Sequence, residues 1–507
     1  MQAGFYGNAL QAASFEGHKE IFQLLLKEGA DVNAQGGHYG NALQAASVEG
    51  HKEIVQLLLR DGADVNALGG YCGNALQAAS FGGHKEIVQL LLRDRADVNA
   101  RGGYFGNALQ AASFGGHKEV VQLLLRDGAN VNAQGGHHDN ALQAASFGGH
   151  KEIVQLLLRD GADVNARGRY YGNALQAASF GGHKEIVQLL LRDRADVNAR
   201  GGYCGNALQA ASFGGHKEVV QLLLRDGADA NAQGGHYGNS LQAASVGGHK
   251  EIVQLLLKEG ADVNAQGGFF SNPLVAASVY GREEVVSLLL SEGNCDTEAQ
   301  HITTGRTALS YAAERGDESI SAKLITDGQA NPTSTGYAGR PPLFYAATEG
   351  RNAMVKILLL HGPLASDWKD RYGSTPLSVA ARKGHAGVVT SLLSTGSVDI
   401  NSSDNFGRTP QWWARRRGHA EVLRLLDKAG NRTMSVDDSP EAIELSTKSH
   451  DVSGRRCDIC VLGITITSNC YYCSHCNNGN FHVCLDCFNL GGHCLEESHT
   501  LALAFNA

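Results

Sequence analysis

The stretch GNALQAASVEGHKEIVQLLLRDGADVNA, residues 40–67, returns almost unchanged every 33 residues, and that period limits the fold more than any other feature. Its opening NALQAAS begins at Asn8, Asn41, Asn74, Asn107, Asn140, Asn173 and Asn206, with edited versions at Asn239 and Asn272. A fixed period of this length builds a stack in which each unit buries its apolar face on its neighbours. The 507 residues are too many for one core, but a stack lengthens without deepening, so chain length does not count domains here.

Within one unit, Asn41 stands where a helix N-cap belongs, and ALQAAS after it is small and apolar enough for a short, closely packed helix. A break follows at Glu49-Gly50, or at a Gly-Gly pair such as Gly82-Gly83 in most copies. HKEIVQLLLRD then predicts a second helix that buries Ile54, Val55, Leu57, Leu58 and Leu59 and leaves Lys52, Glu53 and Gln56 to water, with Gly62 closing it. Helix, turn, helix and a Gly-rich finger, with GHKEIVQLLLRDGADVNA in the second half, resemble an ankyrin repeat. The family's T-P-L-H is N-A-L-Q in most copies, and becomes T-A-L-S from Thr307 and T-P-L-S from Thr375. Divergent copies begin near Gly305, Gly339, Gly373 and Gly407 after nine regular ones, about thirteen in all across residues 2–430. The resemblance implies an all-α solenoid of helix-turn-helix units with finger loops. DRADVNAR at Asp94 and Asp193, and GGHKEVVQ at Gly115 and Gly214, each recur after 99 residues, which points to copying of a three-unit block. Repeat sequence starts directly after Met1, so the first copy is expected either to fray or to follow further sequence.

Lys and Arg total 43 against 51 Asp and Glu, a net charge of -8, which argues against a phosphate-backbone binder; no nucleic-acid partner is expected. There is no basic segment followed by an apolar one at the start, and no apolar run near the roughly 20 residues that span a bilayer, so neither secretion nor membrane insertion is expected. Of 11 Cys, eight lie between Cys457 and Cys494 in clusters beside His, a pattern of metal binding in a reducing, intracellular compartment. The His of G-H-K-E, from His18 to His249, recur on units stacked on the order of 10 Å apart, too far to share a metal. Each is expected to bond the turn between its helices. Ser47-type hydroxyls recur beside them without a third group or an oxyanion loop, so no enzyme is expected.

Two surfaces are candidates for binding protein. The finger tips carry His38-Tyr39, Tyr71-Cys72, Tyr104-Phe105, His137-His138, Tyr170-Tyr171, Tyr203-Cys204, His236-Tyr237 and Phe269-Phe270, rings that either pack on the next finger or grip a partner. The inner-helix position two residues after the Leu of T-P-L-H is Ala from Ala12 to Ala276, then Tyr311, Tyr345, Val379 and Trp413. In ankyrin proteins that position commonly faces the concave groove, so the resemblance implies an apolar, protein-binding stripe there; Trp368 and Trp412 fall in the same region. Alternatively, Trp412 and Trp413 fill the gap left by Gln411 in place of a core Leu. Arg415-Arg416-Arg417 is expected to be a solvated helix end.

Residues 431–456 lose the apolar period and are expected to form a tether. From Cys457 to residue 507, Cys457/Cys460, Cys473/Cys476 and Cys484/Cys487 form C-x-x-C pairs, and His493 with His499 completes eight ligands for two closed, structural zinc sites. CDIC, CSHC, CLDCF and GHCLEESH resemble a ZZ-type zinc finger. That resemblance implies a crossed pairing, with Cys457, Cys460, Cys484 and Cys487 on one zinc and Cys473, Cys476, His493 and His499 on the other. Cys470 and Cys494 are surplus, and Cys470-Tyr-Tyr-Cys473 offers a competing pair. Some ZZ domains hold a peptide's N-terminal amine with acidic residues; Asp458 matches one such position, while Asn480 and His482 stand where others would be acidic. The expected function is a monomeric, non-enzymatic scaffold whose array and zinc module each bind a protein. Other settings of the same resemblance are a ubiquitin-ligase component, or the sensor part of a larger NLR-like receptor. Metal analysis of the purified chain should return two zinc ions, released together with folding of the tail by a chelator; a zinc-free tail would remove the module from this reading.

Overall fold

The computed structural model describes residues 6–430, 470–473, 481–484 and 502–504, and the chain forms two compact units divided after Asp262. In the first unit eight helix pairs run from Ala9–Glu16 and Lys19–Lys27 to Ser240–Gly247 and Lys250–Lys258. The pair Ala42–Glu49 and Lys52–Arg60 is typical. Asn41 is extended at φ -149 and its Oδ1 accepts the Gln44 amide at 2.8 Å, which starts the inner helix; Gly50, left-handed at φ 85, stops it. Residues Ala42 to Ser47 are all buried, because alanines let neighbouring inner helices approach on both sides. The outer helix buries Ile54, Val55 and Leu58, while Leu57 and Leu59 stay half-buried, so its sealed face is narrower than the apolar pattern alone predicts.

An eight-residue helix is unstable by itself, and here three side chains per unit tie it to the next. Gln44 Nε2 donates to Ala67 O at 3.0 Å and Gly73 O at 3.1 Å, bridging to the following finger; Gln77, Gln110, Gln176 and Gln209 repeat the double bond. Asn66 donates to Arg95 O at 3.2 Å and accepts from Asp97 N at 2.8 Å, as its counterparts do along the loops. His84 Nε2 lies 2.9 Å from Val48 O, a carbonyl that can only accept, so this nitrogen carries the proton. His51 to His249 therefore bond the C-terminal end of the preceding unit's inner helix rather than their own turn. The glycine before each imidazole is part of the same device: a Cβ on Gly50 would sit 2.5 Å from His84 Cε1. Lys-Glu pairs such as Lys118–Glu152, at 2.6 Å, add little because both ends are exposed.

The second unit holds five further helix pairs, from Pro273–Val279 and Glu283–Ser291 to Pro410–Arg416 and Ala420–Ala429, with a short 3-10 helix at Pro363–Asp367. Together the two units make the thirteen copies that the period predicts, counted among the described residues. Here an aspartate at the finger base binds an arginine and two amides of its own finger. Asp370 accepts from Arg340 Nε at 2.9 Å and from Tyr372 N and Ser374 N at 3.0 and 2.8 Å; Asp404 does the same for Arg408 Nε at 2.7 Å and for Phe406 N and Arg408 N. Past the helices, strands β1 (Cys470–Cys473), β2 (Phe481–Cys484) and β3 (Ala502–Ala504) form an antiparallel sheet in the order β2-β1-β3, with Cys470 opposite Cys484. The proposed tether, 431–456, lies outside the described residues.

Gly116 and Gly128 separate the two demands on glycine. Both are left-handed, at φ 81 and 87, but a Cβ on Gly116 would meet His150 Cε1 at 2.5 Å whereas one on Gly128 meets nothing within 4 Å. Gly128→Ala should cost about 1 kcal/mol and Gly116→Ala about 2 to 3 kcal/mol, read as the shift in urea midpoint; equal shifts would show that the imidazole contact adds nothing.

Candidate functional site

The fingers of the first unit join edge to edge. The Tyr71 amide donates to His38 O, Tyr104 to Tyr71 O, and His137 to Tyr104 O, each at 2.8 Å, so the tips form a ribbon across units. The first ring of each tip pair stacks on the next: His38 on Tyr71 at 5.1 Å, Tyr71 on Tyr104 at 5.0 Å, Tyr104 on His137 at 4.9 Å, and Tyr203 on His236 at 4.8 Å. The second ring turns inward onto the end of an inner helix, with Phe105 on Phe81 and Tyr237 on Phe213 at 4.5 and 4.6 Å. Packing on the next finger, as one of the two sequence expectations has it, still leaves Tyr71, Tyr170 and Tyr203 40 to 45% exposed.

The ribbon changes at one place. Regular fingers carry glycine at the positions of Asp139 and Arg169, for example Gly106 and Gly136; here both are replaced, and the two replacements meet. Asp139 sits at φ 60, and its carboxylate accepts from Arg169 N at 2.6 Å, Arg169 Nε at 3.2 Å and Tyr170 N at 3.4 Å. The Tyr170 amide thus turns to a side chain where other tips use a carbonyl, and the Tyr170 ring tilts 38° from His137. Next to it His138 is 3% exposed, packed on Phe114 at 4.5 Å and parallel to Tyr171 at 5.8 Å, with neither ring nitrogen hydrogen-bonded. Burial, with His137 adding to it and Asp139 opposing, pushes its pKa down to about 4, so the imidazole is neutral at pH 7.

Tyr311 and Tyr345 are both half-buried. They clamp Arg306 at 4.0 and 3.8 Å from their ring centres, and that guanidinium also reaches Glu314 and Ser310 O, both at 2.9 Å. Trp413 is 3% exposed beneath Arg382 and Arg408, at 4.0 and 4.6 Å. The equivalent Ala45 is 0% exposed: at this position side chains lie between adjacent inner helices, and the large ones are housed by stacking on arginine. A signal for this exists in the sequence, since Gly-Arg precedes the cap at Arg306 and Arg408 with the aromatic five residues on. Trp368 and Trp412 are the exposed indoles, at 39 and 38%.

Burial pushes the thiols of Cys72 and Cys204 up to about 11 and that of Cys295 up to about 12, which keeps them protonated and poor nucleophiles. Among the described residues no group of three or more His, Cys, Asp or Glu is placed to hold a metal. Cys457, Asp458, Cys460, Cys476, Cys487, His493 and His499 lie outside the described residues, while Cys473 and Cys484 lie in β1 and β2.

A family model of ankyrin repeats in three copies matches residues 2–69, 68–135, 109–201, 174–267, 240–336, 273–367, 312–404 and 343–437. The chain belongs to the ankyrin-repeat family. Among solved structures the ankyrin array is similar to the human ASB11 ankyrin repeat domain, at 26% identity over 43% of this chain and 98% of that one, with a TM-score of 0.38. No curated protein matches. Among the described residues of this ankyrin protein no helix is long and apolar enough to cross a membrane.

His138 should contribute to acid sensitivity. Its folded pKa is below the unfolded value near 6.5, so the proton favours the unfolded state, and stability present above pH 6.5 should fall as pH drops toward 4. His138→Phe, which copies Phe105, should flatten that part of the profile in thermal melts at stepped pH; an unchanged slope would rule His138 out as its source.

Proposed function

We propose that the ankyrin array is a non-enzymatic adaptor whose finger edge receives a protein partner, and that residues 457–507 are a ZZ-type zinc module that recruits a second protein. The observation that carries the first part is the row of stacked but exposed rings on a ribbon tied by backbone bonds, a rigid amphipathic surface of the kind that anchors interfaces. The recurring His, Asn and Gln are engaged between units, which fits them for structure rather than chemistry. In the second unit, Trp368 and Trp412 would touch a partner, with Tyr311, Tyr345 and Trp413 ordering the arginines beneath.

For the tail, the support is the donor set, three C-x-x-C pairs and two His. Cys473 and Cys484 lie on the paired strands β1 and β2. Cys470, directly across from Cys484, remains the competing donor. Bound zinc would supply folding energy and no catalytic position. Asp458 is our candidate for holding the amine of a recruited peptide. The adaptor would act inside the cell as a monomer.

Proximity labelling in cells tests the division of labour. The full chain should label two sets of proteins. The variant Tyr71→Ser, Tyr170→Ser, Tyr203→Ser should lose one set, and a chain ending before Cys457 should lose the other. Retention of both sets by both variants would overturn the adaptor reading.

A further inference from the structure

Resting on the reading that the finger edge receives a protein, we infer that the fingers bearing Arg167, Arg169 and Arg200 take an acidic, extended segment of that partner, with a carboxylate seated on Arg169. Arg169 is 81% exposed at its side chain and yet fixed in place: Nε donates to Asp139 Oδ1 at 3.2 Å and Nη2 to Gly136 O at 3.2 Å. Asp139, whose side chain is 7% exposed, is oriented in turn by the Arg169 amide at 2.6 Å. A guanidinium has five N–H groups; two are engaged here, and the remaining edge, Nη1 with the second Nη2 proton, is left for a planar carboxylate. Because the side chain is held before any partner arrives, less rotamer freedom is lost on binding than for an ordinary surface arginine.

The surroundings have the shape and charge for such a segment. Beside the Asp139–Arg169 pair lies a shallow, open hollow of about 490 Å³ lined by Gln134, Gly135, Asp139, Arg167, Gly168 and Arg169. Arg167 is exposed, and Arg200 repeats its position one finger on and is exposed as well. Tyr170, next to Arg169 in the chain, and Tyr203 on the following finger are both exposed. Asp139 is the single acid of the lining, and both its oxygens are engaged. Asp163 and Asp196, farther along the loops, accept from Asn165 N and Asn198 N at 2.9 and 3.0 Å. Three arginines on two consecutive fingers of a chain with net charge -8 make a local basic strip. The overall negative charge opposes the long-range approach of a nucleic acid, whereas a short acidic peptide segment meets only the strip.

The test uses the purified full chain and fluorescence anisotropy of a fluorescein-labelled oligoglutamate peptide, with oligolysine and oligothymidine as counter-probes. The variant Asp139→Gly, Arg167→Gln, Arg169→Gly, Arg200→Gln gives these fingers residues that other regular fingers already carry, so circular dichroism and urea midpoint should report a folded array. It should bind oligoglutamate about tenfold more weakly or worse, and Arg169→Lys, which keeps the charge without the fork, should fall between. Equal affinity in wild type and the fourfold variant would overturn the proposal. Oligothymidine binding as tight as oligoglutamate would also overturn it, in favour of nucleic acid. In cells, partners kept by the fourfold variant but lost with the tyrosine-to-serine variant would sink the acidic-segment proposal while leaving the adaptor reading standing; partners kept by both would sink that reading itself.

Discussion

Each inner helix of the first unit depends on an amide that belongs to a different structural layer from its own: Gln44, in the third turn position after the cap, holds two carbonyls of the next finger. The helix it sits in has eight residues, mostly alanine, too few to persist in water without neighbours. Stability therefore resides at the junctions between units, where glutamine, asparagine and histidine each cross from one unit to another. Burying a polar side chain is unfavourable unless it is bonded, and here the bonds supply register as well as compensation, since each side chain reaches fixed backbone groups of another unit.

The near-identity of the regular units follows the same constraint. A glycine in one unit faces the imidazole of the next, so neither side can change alone: at Gly50 the left-handed backbone and the space taken by His84 both forbid a side chain. On two neighbouring fingers the pattern changes in partners. Asp139 and Arg169 replace two glycines on consecutive fingers and bond one another, and the surface that results differs in charge and shape from every other regular finger. A departure that would be strained as a single substitution becomes a distinctive, charged feature of the edge.

The second unit adds ion pairs at the finger bases, between units for Asp370 with Arg340 and within one finger for Asp404 with Arg408. Aspartate at the finger base grips the arginine that precedes the cap, and the arginine lies on an aromatic ring of the inner helix. A buried ion pair is costly to form, but each carboxylate here also accepts two backbone amides, and the cation has a π face against it. The aromatic residues are consumed by that packing, which is why Trp413 is sealed while its neighbour Trp412 reaches solvent.

The 33-residue period, the N-caps, the glycine stops and the number of copies were legible in the amino-acid sequence, because helix ends and apolar spacing are local properties. So was the paired chemistry of the finger tips, though the sequence left packing and gripping as alternatives. What the sequence could not assign was the partner of each polar side chain. His84 looks local and bonds a carbonyl 36 residues away; Asp139 and Arg169 look like unrelated slips and form one salt bridge. Tyr311 and Trp413 look like groove residues and lie against arginine. Those assignments belong to the tertiary structure, because they depend on how closely adjacent units approach, and that distance is set by the packing of whole helices rather than by any one residue.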